Sequence, residues 1–414
     1  ATQAVVDSYP VVRGSSIYAV VYGPSWKEAE SRAVSLGGHL ATINNAEENS
    51  FLIGTGALWT NEISGLYIGL YDTTWTTFYG SGGSGFNHVY PQGRTWEWIS
   101  GETSDYRNWW TGQGGADMSV VDGPVTLMSN VAELYGQWND VPNDSTSEIP
   151  WGSQYQIARG IAETRFIRRG DSAYVIVQGQ TWEQAESNAQ AIGGHLVTIN
   201  DASENQWISD TFRDQLALPD SNWGGGLRSG AWIGLSDKNS DGNPEWVDGT
   251  SLEYKNFLRD YDSVGASGVY DGWLILMLDP SGCAQSYAGL NSWSFGPAQT
   301  NDPGSLYVKG IAEIKLAPNN SPTGKPTLNS VSKVGDTLTI DKAAVQDADN
   351  FAGYTPTYAY SWEVSDATGQ SWTTISSTDA TDNNTTFTLT ADQVGKQVRG
   401  VVSYLDGYGT NELV

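Results

Sequence analysis

The feature that most constrains this chain is an internal repeat. Residues 25–52, SWKEAESRAVSLGGHLATINNAEENSFL, align without a gap on residues 181–208, TWEQAESNAQAIGGHLVTINDASENQWI, at an offset of 156, with about half the positions identical. Further on, Ile68-Gly69-Leu70 matches Ile233-Gly234-Leu235, and Gly160-Ile161-Ala162-Glu163 matches Gly310-Ile311-Ala312-Glu313. A period of about 150 residues is domain-sized, so the repeat is a duplicated domain and not a solenoid.

Each copy opens with a strand, SIYAVV or AYVIV, followed by a helix. Ser25 with Glu28, and Thr181 with Gln184, fit a capping box at the helix start. Ala29, Ala33 and Leu36 recur at helical spacing, as do Ala185, Ala189 and Ile192, and Gly37-Gly38 and Gly193-Gly194 end the helices. Second helices are expected from Asn45 and Asp201, each followed three residues later by Glu48 or Glu204. At residues 318–326, PNNSPTGKP, the composition changes to that of a linker. Beyond it the segments TLTI, YAYSWEV, TFTLT and QVRGVVSY alternate with turn residues, which predicts a β-sandwich with Trp362 at its core.

The one cysteine, Cys283, rules out an intrachain disulfide and multi-cysteine zinc. A net charge of −26 disfavours nucleic acid and anionic membrane surfaces as partners and makes divalent cations a natural counter-charge. No apolar run could cross a bilayer, so no membrane insertion is expected. Ala1–Pro10 lack the basic start and apolar centre of a signal peptide, so the expectation is a mature chain or an excised piece, a monomeric segment of something longer.

The motifs carry a resemblance. Each copy has a helix ending in GGHL-x-TI and an IGL strand. The first adds Trp96-Glu97-Trp98, Tyr106-Arg107-Asn108-Trp109 and Trp138-Asn139-Asp140; the second adds Trp246, Tyr254-Lys255-Asn256-Phe257 and Trp293-Ser294-Phe295. This set resembles the C-type-lectin-like domain, over about three quarters of the chain. The third segment, with VGDTLTI, SWEVSDATGQSWTTI and LTADQVGKQVRGVVSYLD, resembles the immunoglobulin-like repeats of large bacterial (RTX-type) surface adhesins. The resemblance implies an α+β architecture: C-type-lectin-like domains at 1–164 and 165–317, a linker at 318–325 and an all-β immunoglobulin-like domain at 326–414.

The resemblance also implies a Ca2+ site in the first copy. In sugar-binding members the Asn and Asp of the Trp-Asn-Asp triplet ligate calcium, and a sugar completes the shell with two hydroxyls; Asn139 and Asp140 match them. Calcium needs six to eight oxygens, and a partly open shell admits hydroxyls. Where those members carry Glu-Pro-Asn or Gln-Pro-Asp, this chain reads Gly112-Gln113-Gly114-Gly115; Gln113 retains an amide oxygen, and Asp117 and Asp122 stand near as replacements. The alternative is that Trp138 is core and Asn139-Asp140 only turn. Trp109, Trp110, Tyr135 and Trp151 are aromatic faces that could stack on a ligand or fill the core.

The second copy has Ser294-Phe295 in place of Asn-Asp, so no sugar-type site is expected there. After its IGL strand, Asp237, Asn239 and Asp241 match the spacing of an auxiliary calcium site, with Asp260, Asp262 or Asp271 to close the shell, or else a polar turn. The first copy keeps Asp72 but has Thr76 at that site. His39 and His195 fall at the same repeat position, which suits a structural role; His88 has no counterpart. Asp347, Asp349 and Asn350 read as a turn or as calcium ligands at a domain junction.

No nucleophile–base arrangement or phosphate-cradling motif emerges, so the expectation is a binding protein and not an enzyme. Its expected place is secreted, at a bacterial cell surface, and its expected partner is a cell-surface glycan, with a protein or peptide as the alternative.

Overall fold

The computed structural model describes residues 10–59, 65–73, 95–111, 124–128, 135–141, 158–216, 228–237, 243–257, 273–278, 293–295, 309–350, 354–377 and 384–414. They fall into two compact units. One comprises Ala1–Val11, Ile17–Asn44 and Ile53–Lys315; the other comprises Val12–Ser16, Asn45–Leu52 and Leu316–Val414.

In the first unit each repeat builds its own sheet with the same order. In the first repeat, strands Ser16–Tyr22, Arg159–Arg165, Gly65–Asp72, Pro124–Met128 and Trp138–Asp140 lie side by side, with His39–Leu40 and Trp96–Trp98 as short additions. In the second, the path runs Ser172–Gln178, Lys309–Lys315, Arg228–Ile233, Trp273–Leu278 and Trp293–Phe295. A short strand, Val11–Arg13 or Ile167–Arg169, flanks each sheet on the outside, and the first long strand of each repeat lies beside its last strand. In the second repeat these are antiparallel over seven residue pairs, from Ser172 opposite Lys315 to Gln178 opposite Lys309.

The helices lie where the periodicity places them. Trp26–Ser35 begins at Ser25, whose Oγ accepts the Glu28 amide at 3.3 Å, and Trp182–Ala191 begins at Thr181, whose Oγ1 accepts the Gln184 amide at 3.3 Å. The reciprocal half of a capping box is replaced. Glu28 accepts from the Ser25 hydroxyl, and Gln184 from the amide of Gln180. Ala29 and Ala33, like Ala185 and Ala189, are fully buried. The second helices start where expected, with Asn45 Oδ1 and Asp201 Oδ1 each accepting an amide at 2.8 Å. Gly37 ends the first helix at φ +88°, and a Cβ there would stand 2.0 Å from the carbonyl oxygen of Ile176, so only glycine allows this approach between the repeats.

The repeated histidines are structural. His39 Nδ1 lies 2.6 Å from Glu30 Oε1, and the other oxygen of Glu30 accepts the Leu40 amide at 2.9 Å. His195 repeats this with Glu186 at 2.6 Å and the Leu196 amide at 2.8 Å. Each pair ties its helix to the short strand that follows it.

Over Leu316–Val414 the described residues of the second unit form strands and one short helical turn, Ala391–Gln393. A three-stranded sheet, Thr327–Leu328, Thr337–Asp341 and Thr386–Thr388, packs on a four-stranded one with order Trp372–Ser377, Tyr358–Ser365, Val398–Leu405 and Asn411–Leu413. Leu338 and Ile340 of one sheet meet Tyr360, Trp362, Val402 and Tyr404 of the other, and Trp362 is fully buried as its sequence context predicts.

Candidate functional site

Trp138 organises the candidate site. Its strand pairs with Pro124–Met128, with Val125 opposite Asp140, Thr126 opposite Asn139 and Leu127 opposite Trp138. The Trp138 amide donates to Asn108 O at 2.8 Å, and its carbonyl accepts the Trp110 amide at 2.9 Å, so the Tyr-x-Asn-Trp segment runs alongside. The ring of Trp138 is fully buried, with Trp98, Tyr106 and Trp109 edge-on at 5.8, 5.5 and 5.9 Å. Arg107 fixes the approach to this segment: its guanidinium donates to the carbonyls of Ser104 and Tyr106 and lies 5.7 Å from the Trp98 ring. Burial lowers the Arg107 pKa from its ordinary value, against the raising effect of Asp105.

The two polar residues of this strand set its chemistry. Asp140 is 6% exposed. The backbone carbonyl of Asn139 accepts from Thr126 Oγ1 at 3.1 Å, but its side-chain Oδ1 is buried with no hydrogen-bond partner. An amide oxygen withdrawn from water without a donor is costly. Calcium takes such neutral oxygens together with carboxylates, so Asn139 and Asp140 fit the ion. They would hold it, and the ion would supply open coordination positions for ligand hydroxyls.

The aromatic candidates divide. Trp109 packs on Trp138 and lies 4.9 Å from Trp96, so much of its ring serves the core. Trp110 is half-buried and held through its amide. Tyr135 is 59% exposed, but it stands at the turn end of the hairpin, the far end from Asp140. Gln113, Asp117, Asp122 and Trp151 lie outside the described residues.

The second repeat keeps the scaffold without the oxygens. Trp293 is fully buried; its amide donates to Asn256 O at 2.7 Å and its indole to Asn205 Oδ1 at 2.9 Å. Trp246, Tyr254 and Phe257 meet it edge-on at 5.4, 5.6 and 5.7 Å. Asp237 is buried, as is its counterpart Asp72. Asn239, Asp241, Asp260, Asp262, Asp271, Thr76, His88 and Cys283 lie outside the described residues.

The family model described as Lectin C-type domain matches residues 178–274. A C-type lectin domain is present. Domains of this family typically bind calcium. The chain is similar to the secretory phospholipase A2 receptor of Oryctolagus cuniculus, 24% identical over 244 residues, which are 58% of this chain and 15% of the receptor. It is also similar to a perlucin-like protein of Mytilus galloprovincialis, 30% identical over 82 residues, 20% of this chain and 47% of that protein. The chain thus spans about a seventh of the receptor and about half of the perlucin-like protein. Among solved structures, the cow C-type carbohydrate-recognition domain of CD23, in the presence of GlcNAc2Man3 oligosaccharide, is 20% identical, with 37% of this chain and 94% of that one covered at a TM-score of 0.26. No described helix is long and apolar enough to cross a membrane.

Proposed function

We propose that this chain is the calcium-dependent carbohydrate-binding region of a bacterial surface adhesin, secreted and without enzymatic activity. In this reading residues 1–164 and 165–317 are lectin-like domains, 318–325 a linker and 326–414 an immunoglobulin-like spacer. The first domain carries the ligand through Asn139 and Asp140, completed by Gln113, Asp117 or Asp122, with Trp109 or Trp110 beside the sugar. Asp237, Asn239 and Asp241 form a structural calcium site in the second.

The supporting observation is the buried, unpartnered Oδ1 of Asn139, one residue before the buried Asp140. A second reading, binding of a protein or peptide on the same fold, draws support from Gly112-Gln113-Gly114-Gly115, which lacks the proline and third ligand of sugar-binding members. It is also favoured by likeness to a receptor named for a secreted protein. A glycan array with and without chelator tests the two. The lectin reading expects chelator-sensitive glycan binding that Asn139→Ala or Asp140→Ala strongly weakens. Binding to protein ligands that survives chelator, with no glycan retained, would replace it by the second.

A further inference from the structure

The second unit carries an acidic cluster that the lectin reading leaves unused. Asp347, Asp406 and Glu412 each bring one carboxylate oxygen within 4.8 Å of the other two. Anions this close repel, and burial strengthens the repulsion. Asp406 is 0% exposed. Its Oδ1 accepts the amides of Tyr408 and Thr410 at 2.9 and 2.7 Å, whereas its Oδ2 is buried with no hydrogen-bond partner. Thr410 Oγ1, on the same turn, and Asn350 Oδ1, three residues beyond Asp347, are also buried and unpartnered.

Among the described residues no lysine or arginine forms an ion pair with these three carboxylates. Arg13, whose guanidinium lies 5.5 Å from the Tyr354 ring, pairs instead with Glu48 at 3.9 Å. Buried charges are normally paired or coordinate a metal. Tyr404 Oη donates to Asp347 Oδ2 at 2.8 Å, but no counter-charge pairs with the cluster among the described residues, and the unpartnered atoms of Asp406, Thr410 and Asn350 are oxygens, the donor set that hard cations prefer.

We propose that Asp347, Asp406 and Glu412, together with the side-chain oxygens of Thr410 and Asn350, bind one divalent cation of the calcium class. The site is also joined to the linker. Asn319 Nδ2 donates to Glu412 Oε1 at 2.7 Å, and Asn320 donates through its amide and its Nδ2 to both oxygens of Asp349, each at 2.7 Å. The Asp349 amide in turn donates to Asp347 Oδ1 at 2.9 Å. An ion that fixes Asp347 and Glu412 therefore fixes Asn319 and Asn320 as well.

Native mass spectrometry of the full chain in calcium alone, with no sugar, tests this by counting bound ions. Asp347→Asn and Glu412→Gln should each carry one calcium fewer than the parent, while Asp140→Ala keeps this ion. Asp406→Asn should do the same; if it does not fold, Glu412→Gln, which keeps the side-chain shape, carries the test. Hydrogen exchange at Asn319 and Asn320 should quicken on chelation in the parent and be insensitive to chelation in Glu412→Gln. A calcium count unchanged by both Asp347→Asn and Glu412→Gln in folded protein would overturn the proposal. Loss of this ion would leave the Asn139–Asp140 site untouched, so the two readings fail separately.

Discussion

The two repeats share a frame down to single hydrogen bonds and differ at the candidate ligand positions. Trp26 Nε1 donates to Ile68 O, and Trp182 Nε1 to Ile233 O, both at 2.8 Å. Trp138 and Trp293 are caged alike, and the Glu–His pairs coincide within a tenth of an ångström. On the last strand of each sheet they separate: Asn139-Asp140 in one, Ser294-Phe295 in the other. Packing is tied to the whole neighbourhood and resists drift, whereas a ligand oxygen is tied to the ligand alone and can be replaced without unfolding anything.

That comparison can be broken most forcefully at the core. Trp138→Ala and Trp293→Ala should each cost about 3–5 kcal/mol of stability, measured by denaturant unfolding. A large loss from one and a negligible loss from the other would end the claim of a common frame. Next come the proposed ligand oxygens. Asp140→Ala should weaken calcium-dependent glycan binding by about 2 kcal/mol or more, roughly 30-fold, in calorimetric titration. Ser294→Ala should change nothing, and an equal effect from both would move the ligand site away from the first repeat. Glu30→Gln and Glu186→Gln should each cost about 1–3 kcal/mol, because the neutral amide is a poorer acceptor for the histidine and the Leu40 or Leu196 amide. Thermal melts that do not shift would assign those pairs to decoration.

The smallest effect is one of pH. Burial above all, then the carboxylates of Glu313 and Glu204, push the Tyr174 phenol above its ordinary pKa, with Arg169 opposing. Its hydroxyl donates to Glu204 at 2.8 Å, so the protonated form is the one the fold needs. The unfolded chain ionises this group near pH 10. Its contribution is therefore complete below about pH 10 and declines as pH rises further. Melting followed upward from pH 9 should fall less steeply for Tyr174→Phe than for the parent. Identical slopes would remove Tyr174 from the account.

Much of this frame was legible in the sequence because its signals are local. Ser25, Thr181, Asn45 and Asp201 mark helix starts by a side-chain oxygen and an amide three residues on, and all four make that bond. The buried carboxylates were not legible: among 47 acidic residues, nothing in the periodicity separates Glu30 or Glu186 from a solvated face. The available signal was the repeat itself, which keeps each acid nine positions before its histidine. The strand Trp372–Ser377 was missed for another reason. It lies at a sheet edge, mostly exposed, and its Thr and Ser residues give no apolar alternation to read. At the candidate site the triplet pointed to Asn139 and Asp140, but that Asn139 Oδ1 is stranded depends on what surrounds it in space.

The side-by-side first long strand and last strand bear on how such a repeat answers to traction. Once the short outer strand Ile167–Arg169 is stripped from Ser172, Ala173 and Tyr174, tension along the polypeptide meets the seam of seven paired residues at its open end, Ser172 opposite Lys315, and peels it rung by rung. The remainder of each repeat hangs from that seam like a locket from a clasp, outside the line of pull. The strand with Asn139 and Asp140 lies three strands away from the corresponding seam of its own repeat. A grip made there would keep its shape until the clasp itself parted, and its chemistry could be rewritten without retuning the joint.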